Sequence, residues 1–378
     1  VTNRGLVLDF SDFDALLAAL RQRGFHPVGP TVRDQALVLD ELRSSTDLPV
    51  GWLDEQQPAR YRLSKGPGPA AFACTLGPHS WKRFLHPPRL TLWRARRADR
   101  AVTPGDPTPP SHAFIGVRPC ELAAVARLDR VMGAGPAADP AYQARRRPAF
   151  IVAMNCTRPG GTCFCASMGT GPEAEAGFDI ALTELVRDGS HVLLAEAGSE
   201  RGAELLSGLP VRPAADAELR FAAEALASAA ERMGRRLETR GLREALLAAY
   251  EHPRWDEVAR RCLACANCTL VCPTCFCFTV EDVTDLPGEE AARLRRWDSC
   301  FGLEFSFIHG GSVRSSPAAR YRHWLLHKLA TWHDQFGSSG CVGCGRCITW
   351  CPAGIDITEE AAAVLGPRQG GHDGRRDP

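Results

Sequence analysis

The sequence has no apolar run near the roughly 18 residues that a membrane-spanning helix needs. The stretch Pro148 to Asn155 stops far short, so no span is expected. Net charge is nearly absent too: Lys+Arg 45 against Asp+Glu 44 leaves +1, which argues against binding nucleic acid through bulk charge. Lysine is scarce. Apart from Lys65, Lys82 and Lys328 every residue in the basic count is arginine, which GC-rich coding explains. Residues Val1 to Phe10 show no basic segment followed by an apolar one, and Asp12 and Asp14 come soon after, so no secretory leader is expected. Val1 reads as an alternative start codon. A cytoplasmic protein with reduced thiols is the expectation. Catalytic signatures are also missing. No serine sits in a nucleophile elbow, and His323 and His327 lack the glutamate of a metalloprotease helix, which leaves them solvent-facing or packing roles. Gly133 to Ala138 fits G-x-G-x-x-A only formally, because it follows a helical pattern and contains Pro136.

What the sequence does have is 16 cysteines in tight groups. Cys74 stands alone; the others lie between Cys120 and Cys165, Cys262 and Cys300, and Cys341 and Cys351. Such clustering reads as inorganic ligation and not as a disulfide framework. Two runs share one spacing, Cys262-x2-Cys265-x2-Cys268-x3-Cys272-Pro273 and Cys341-x2-Cys344-x2-Cys347-x3-Cys351-Pro352. This is the bacterial ferredoxin pattern, in which the fourth cysteine of each run ligates the other cluster. The pattern predicts two [4Fe–4S] clusters, one on Cys262, Cys265, Cys268 and Cys351, the other on Cys341, Cys344, Cys347 and Cys272. Small residues inside the loops, Ala264 and Ala266, Gly343 and Gly345, let the backbone approach a cluster. Structural zinc on four cysteines is the alternative.

A third group is less regular. Cys120 falls where a predicted strand meets a helix, Cys156 ends the next strand, and Cys163 and Cys165 follow in a loop. Parallel neighbouring strands would bring all four to one carboxyl edge, where α/β folds bind cofactors. A third [4Fe–4S] cluster, zinc, and unligated or redox-active thiols are the readings. Thr-Cys-Phe-Cys occurs at 162–165 and again at 274–277. Cys275, Cys277, Cys300 and Cys74 are left without an assigned partner: they form a fourth cluster by count, or pack as small hydrophobes. Phe164, Phe276, Phe278 and Trp350 are expected to exclude water beside ligands, and Gly169 to Pro172 to wrap the Cys163/Cys165 region.

The predicted architecture is α+β and multidomain. A β-rich subdomain over 1–110 precedes a cysteine-containing α/β subdomain over 111–213, the two making an N-terminal region with a mixed or parallel sheet. Strands are expected at Leu37 to Leu39, Leu90 to Trp93, His112 to Val117, Phe150 to Met154 and Val192 to Ala195, with helices from Asp12 to Arg23 and Glu121 to Met132. A helical connector over 214–255 leads to an α-helical, ferredoxin-like dicluster domain over 256–366, with one helix capped by Ser316 and Pro317. Residues 367–378 read as a disordered tail.

Arg118-Pro119-Cys120-Glu121, Asn155 to Pro172, the Cys-Pro-Thr-Cys-Phe-Cys run from Cys272, Trp297 to Cys300 and the run from Cys341 together resemble the iron–sulfur β subunits of cytoplasmic sulfhydrogenases, which are nickel–iron hydrogenases. The A component of anaerobic sulfite reductase is similar at the same motifs. The resemblance extends from Tyr61-Arg62-Leu63 and Trp81-Lys82-Arg83-Phe84 to Ile357. It implies a non-catalytic electron-transfer subunit without flavin of its own. Its partners would be a flavin subunit handling NAD(P)H or ferredoxin and a catalytic part, either nickel–iron small and large subunits or a sirohaem sulfite reductase subunit. A stand-alone iron–sulfur flavin oxidoreductase is the remaining alternative.

Overall fold

The computed structural model describes residues 5–107 and 109–366; the tail expected at 367–378 lies outside the described residues. The chain forms strands β1 (Leu6–Asp9), β2 (His26–Arg33), β3 (Ala36–Glu41), β4 (Trp52–Gln57), β5 (Arg60–Lys65), β6 (Arg89–Arg96), β7 (Val102–Pro104), β8 (His112–Val117), β9 (Phe150–Met154), β10 (Ile180–Arg187), β11 (Ser190–Ala197), β12 (Val211–Pro213), β13 (Phe278–Thr284) and β14 (Glu290–Trp297). Eight of them make one sheet in the order β12-β1-β11-β10-β9-β8-β2-β3.

The fully buried runs of β8 and β9 hold its centre, as strands covered on both faces should. Their side chains alternate between two cores. Phe150, Val152 and Met154 face the helix Phe13–Gln22 through Phe13, Leu16, Leu17 and Leu20; Ile151 and Ala153 face the helix Pro119–Leu128 through Leu122, Val125 and Leu128. Pairing is parallel from β2 through β8 and β9 to β10. It is antiparallel from β10 to β11. The Val192 to Ala195 strand is therefore not another crossover strand. Asp188 and Gly189, with φ 51° and 79°, close β10 onto β11 in a two-residue hairpin, the turn that Asp-Gly favours.

The sheet also crosses the boundary expected at residue 110, since β2 and β3 lie beside β8. Strands β6 and β7 lie outside it and join β13 and β14 in a four-stranded sheet. Region 214–255 supplies helices Asp216–Glu231 and Leu242–Ala248. Beyond it short helices alternate with loops and with the β13–β14 hairpin, so the dicluster region is not the α-helical domain expected. Its core gathers Trp255, Tyr321, Trp324, Leu325 and Ile348. Ser316 caps the helix Pro317–Leu326, accepting from Ala319 N at 3.1 Å.

Glu184 pins the segment at Ala71 to the main sheet. Buried on β10, it accepts from the amides of Ala71 (2.6 Å) and Phe72 (2.9 Å) and from His191 Nε2 (2.8 Å). Replacing it with alanine strands two buried amide donors, each costing about 1–3 kcal/mol. Glu184→Ala should lower the denaturant midpoint in a chemical unfolding curve by the equivalent of about 2–5 kcal/mol.

Candidate iron–sulfur centres

The two four-cysteine runs fold alike. In each, the residues two and four places after the first cysteine are left-handed: Ala264 (φ 51°) and Ala266 (φ 67°), Gly343 (φ 64°) and Gly345 (φ 72°). A short helix follows, Asn267–Leu270 or Arg346–Thr349. The turn points an amide at the first sulfur. Ala264 N donates to Cys262 Sγ and Gly343 N to Cys341 Sγ, both at 3.4 Å, and Ile355 N donates to Cys351 Sγ at 3.4 Å. Left-handed backbone costs alanine about 1–2 kcal/mol per residue, so the first run holds this shape against local preference.

Two cavities gather the thiols, each drawing on both runs. Cys262, Cys265, Cys268 and Cys351 line one, walled by Phe301, Tyr321 and Trp324. Cys272, Cys341, Cys344 and Cys347 line another with Phe164 and Lys328. Cys347 reaches both. Burial pushes the thiols of Cys268 and Cys347 well above their ordinary pKa and that of Cys341 up to about 12, so metal binding here must displace protons.

The third group converges at the carboxyl edge of the main sheet. Parallel β8 and β9 deliver Cys120, in the first turn of Pro119–Leu128, and Cys156. Cys163 and Cys165 return in the loop beyond. Burial, and then Cys165 and Cys156, push Cys163 well up; burial, and then Cys156 and Cys344, push Cys165 up to about 12; burial, and then Cys165 and Cys344, raise Cys120. Cys344 thus lies within electrostatic reach of three of these thiols as well as belonging to the second cavity. No group of three or more His, Cys, Asp or Glu among the described residues is disposed to hold a single metal ion. A cubane presents four separate irons to four thiolates, and the thiol sets of the two cavities fit it.

The third group and the second run are interlocked through backbone. Phe164 N donates to Gly343 O at 2.8 Å. A Cβ at Gly343 would stand 2.6 Å from the Cα of Cys165, and one at Gly345 would overlap the carbonyl of Thr162. Thr162 Oγ1 meets Thr349 Oγ1 at 2.7 Å, and Thr349 Oγ1 donates to Gln56 Oε1 at 2.9 Å. In the second copy of the tetrapeptide Thr274 Oγ1 donates to Gly340 O at 2.6 Å. The buried pair Arg346–Glu121, at 2.8 Å, joins the residue two places after Cys344 to the one after Cys120, and Arg346 Nε donates to Gly77 O at 3.1 Å. On the far side Arg235 N donates to Cys163 O at 2.9 Å, and its guanidinium pairs with Asp356 at 2.6 Å. Thr170 donates through N to Cys165 O (3.0 Å) and through Oγ1 to Val342 O (2.7 Å), so the 169–172 loop wraps this group.

Sequence reasoning missed Glu121, Arg346 and the threonines, although the duplicated Thr-Cys-Phe-Cys was the available signal. Of the aromatics expected beside ligands, Phe164 is buried but Phe278, which opens β13 on the sheet surface, is 41% exposed and packs against His86 and Arg295. His323 and His327 stack at 5.8 Å, and burial draws His327 down to about 4, a packing role. Cys74 lies apart in the sheet core, donating to Trp52 O at 2.9 Å.

These features define an iron–sulfur protein: residues 261–355 match the family described as 4Fe-4S dicluster domain. The chain is 36% identical over 278 residues, 73% of its own length and 79% of the relative's, to sulfhydrogenase 2 subunit beta of Pyrococcus furiosus. It belongs to the family of sulfhydrogenase beta subunits. No solved structure matches it. Among the described residues no helix is long and apolar enough to cross a membrane.

The two runs share a backbone shape but not a neighbour, which separates their tolerance. Gly345→Ala should expose the 162–165 loop to limited proteolysis and lower thermal stability, whereas Ala266→Gly at the same φ sign should leave both unchanged or slightly improved. Arg346→Met leaves the Glu121 carboxylate buried and unpaired, a loss of about 3–5 kcal/mol; adding Glu121→Gln should recover part of it in a double-mutant cycle.

Proposed function

We propose that the chain is the electron-transfer iron–sulfur subunit of a nickel–iron hydrogenase of sulfhydrogenase type, relaying electrons between the hydrogenase subunits and a flavin subunit. The observation that carries this reading is the contiguity of three cysteine groups. Cys344 links the Cys120 group to the second, and Cys347 links the second to the first.

Cys262, Cys265, Cys268 and Cys351 hold one [4Fe–4S] cluster; Cys272, Cys341, Cys344 and Cys347 a second; Cys120, Cys156, Cys163 and Cys165 a third. When bound, such clusters take up and release single electrons, which is how a two-electron flavin donor can feed a one-electron acceptor chain. The residues around them set the conditions. Tyr321, Trp324 and Phe301 exclude water from the first cavity, and Phe164 lies between the second and third. The amides of Ala264, Gly343 and Ile355 donate to sulfur, and donors to ligand sulfur raise a cluster's potential.

Around the first two clusters the helices wrap in a ferredoxin-like manner, with the β13–β14 hairpin as an insertion. The flavin belongs to the partner subunit, and the assembly is cytoplasmic. The relative's name favours hydrogenase over sulfite reductase as the complex.

Iron analysis with EPR tests the reading. The anaerobically purified chain should carry at least about twelve irons, four per cubane. Cys120→Ser should remove about four of them and one reducible signal while the dicluster signals persist; an unchanged iron load would remove the third centre from the relay.

A further inference from the structure

Lys82 and Lys328 are 3% and 2% exposed. Burying an ammonium group is costly unless an opposite charge accompanies it, yet Lys82 meets only carbonyl oxygens and a ring, and Lys328 meets a hydroxyl and the Cys275 thiol. Lys82 Nζ donates to Cys275 O at 3.0 Å and to Leu270 O at 3.4 Å and caps the Trp297 ring at 3.9 Å; Lys328 Nζ donates to Thr274 Oγ1 at 2.8 Å. The groups around them that can carry negative charge, once deprotonated by metal, are sulfurs: Cys275, Cys272 and Cys277 beside Lys82, and Cys272, Cys275 and Cys341 beside Lys328.

Cys275 and Cys277 belong to neither ferredoxin run nor the Cys120 group, and Cys300 joins them. The end of the β13–β14 ladder makes the approach: Phe278 pairs with Trp297, Asp298 N donates to Cys277 O at 3.0 Å, and the Cys277 and Cys300 side chains meet in a hydrogen bond. Cys275 in turn meets Cys272. Packing as small hydrophobes explains buried thiols but not two ammonium groups buried against them. A Cys277–Cys300 disulfide would be neutral and would leave Lys82 only the sulfurs of Cys272 and Cys275. Lys328 also lines the second cavity, so its charge serves that centre as well; Lys82 does not line it.

We propose that Cys275, Cys277 and Cys300 bind a further, anionic iron–sulfur cluster, with Lys82 and Lys328 as its counter-cations. Three thiolates hold such a cluster either as a three-iron core or as a cubane with one iron open to another ligand. The site goes beyond the three-centre relay and does not depend on the Cys120 group.

Iron and sulfide content of the anaerobically purified full chain tests it. Cys277→Ser and Cys300→Ser should each lose about three or four irons relative to wild type and retain the EPR signals of the other centres, whereas Cys74→Ser should lose none. Native-state alkylation read by mass spectrometry tests the same site without substitution. Cys275, Cys277 and Cys300 should resist labelling until iron is chelated and be labelled afterwards. Equal iron in wild type and Cys277→Ser, labelling before chelation, or recovery of a Cys277–Cys300 disulfide would overturn the proposal. Cys120→Ser should leave this protection intact, so the third relay centre and the present site fail separately.

Discussion

At Gly343 and Gly345 the second cysteine run lies directly against the backbone of Thr162 to Cys165, with no room for a Cβ on either glycine. Everything that makes the protein more than a sheet with a dicluster region attached follows from that contact. It sets the loop holding Cys163 and Cys165 beside the loop holding Cys341, Cys344 and Cys347, so two cysteine groups sit on touching backbone. Side chains reinforce it from three directions: the Thr162–Thr349–Gln56 hydrogen bonds, the Arg346–Glu121 ion pair and the Arg235–Asp356 clasp. Removing one partner from a buried ion pair costs more than the pair contributes, so Arg346 and Glu121 act as a matched set whose worth lies in fixing where the two loops meet.

The main sheet contributes position. Buried parallel strands β8 and β9 end together, and the turns that follow them put Cys120 and Cys156 on the same edge, where chain reversal into a helix exposes backbone to a ligand. The dicluster region contributes chemistry, two copies of one turn in which left-handed residues aim amides at sulfur. The charges beside the second group are those of Arg346 and Lys328, and Lys82 and Lys328 flank the thiols beyond Cys272.

Much of this was legible in the sequence. The strands His112 to Val117 and Phe150 to Met154 appear at those residues because an uninterrupted apolar run of that length has only a doubly covered strand as its home. The cap at Ser316 follows from side-chain chemistry within one turn. The family was legible from cysteine spacing and flanking residues. What the sequence hid was long-range. The hairpin at Asp188-Gly189 carried a local signal that was passed over, but the pairing of β6 with β14, across nearly 200 residues of chain, had none. Arg346 and Glu121 are ordinary charges in sequence and become a pair only when two loops are brought together. Lysine scarcity looked like coding bias, yet two of the three lysines are buried against thiols, a placement that composition cannot show.

The most direct test of whether the interlocked loops make one continuous electron path is the magnetic interaction between centres in the fully reduced chain. Adjacent half-spin clusters broaden and split one another's EPR lines, and the present arrangement predicts such interaction between the Cys120-group cluster and the second cluster. It should collapse to simpler, isolated signals when Cys120→Ser removes the former. A wild-type spectrum that already equals the sum of isolated, non-interacting centres would contradict it.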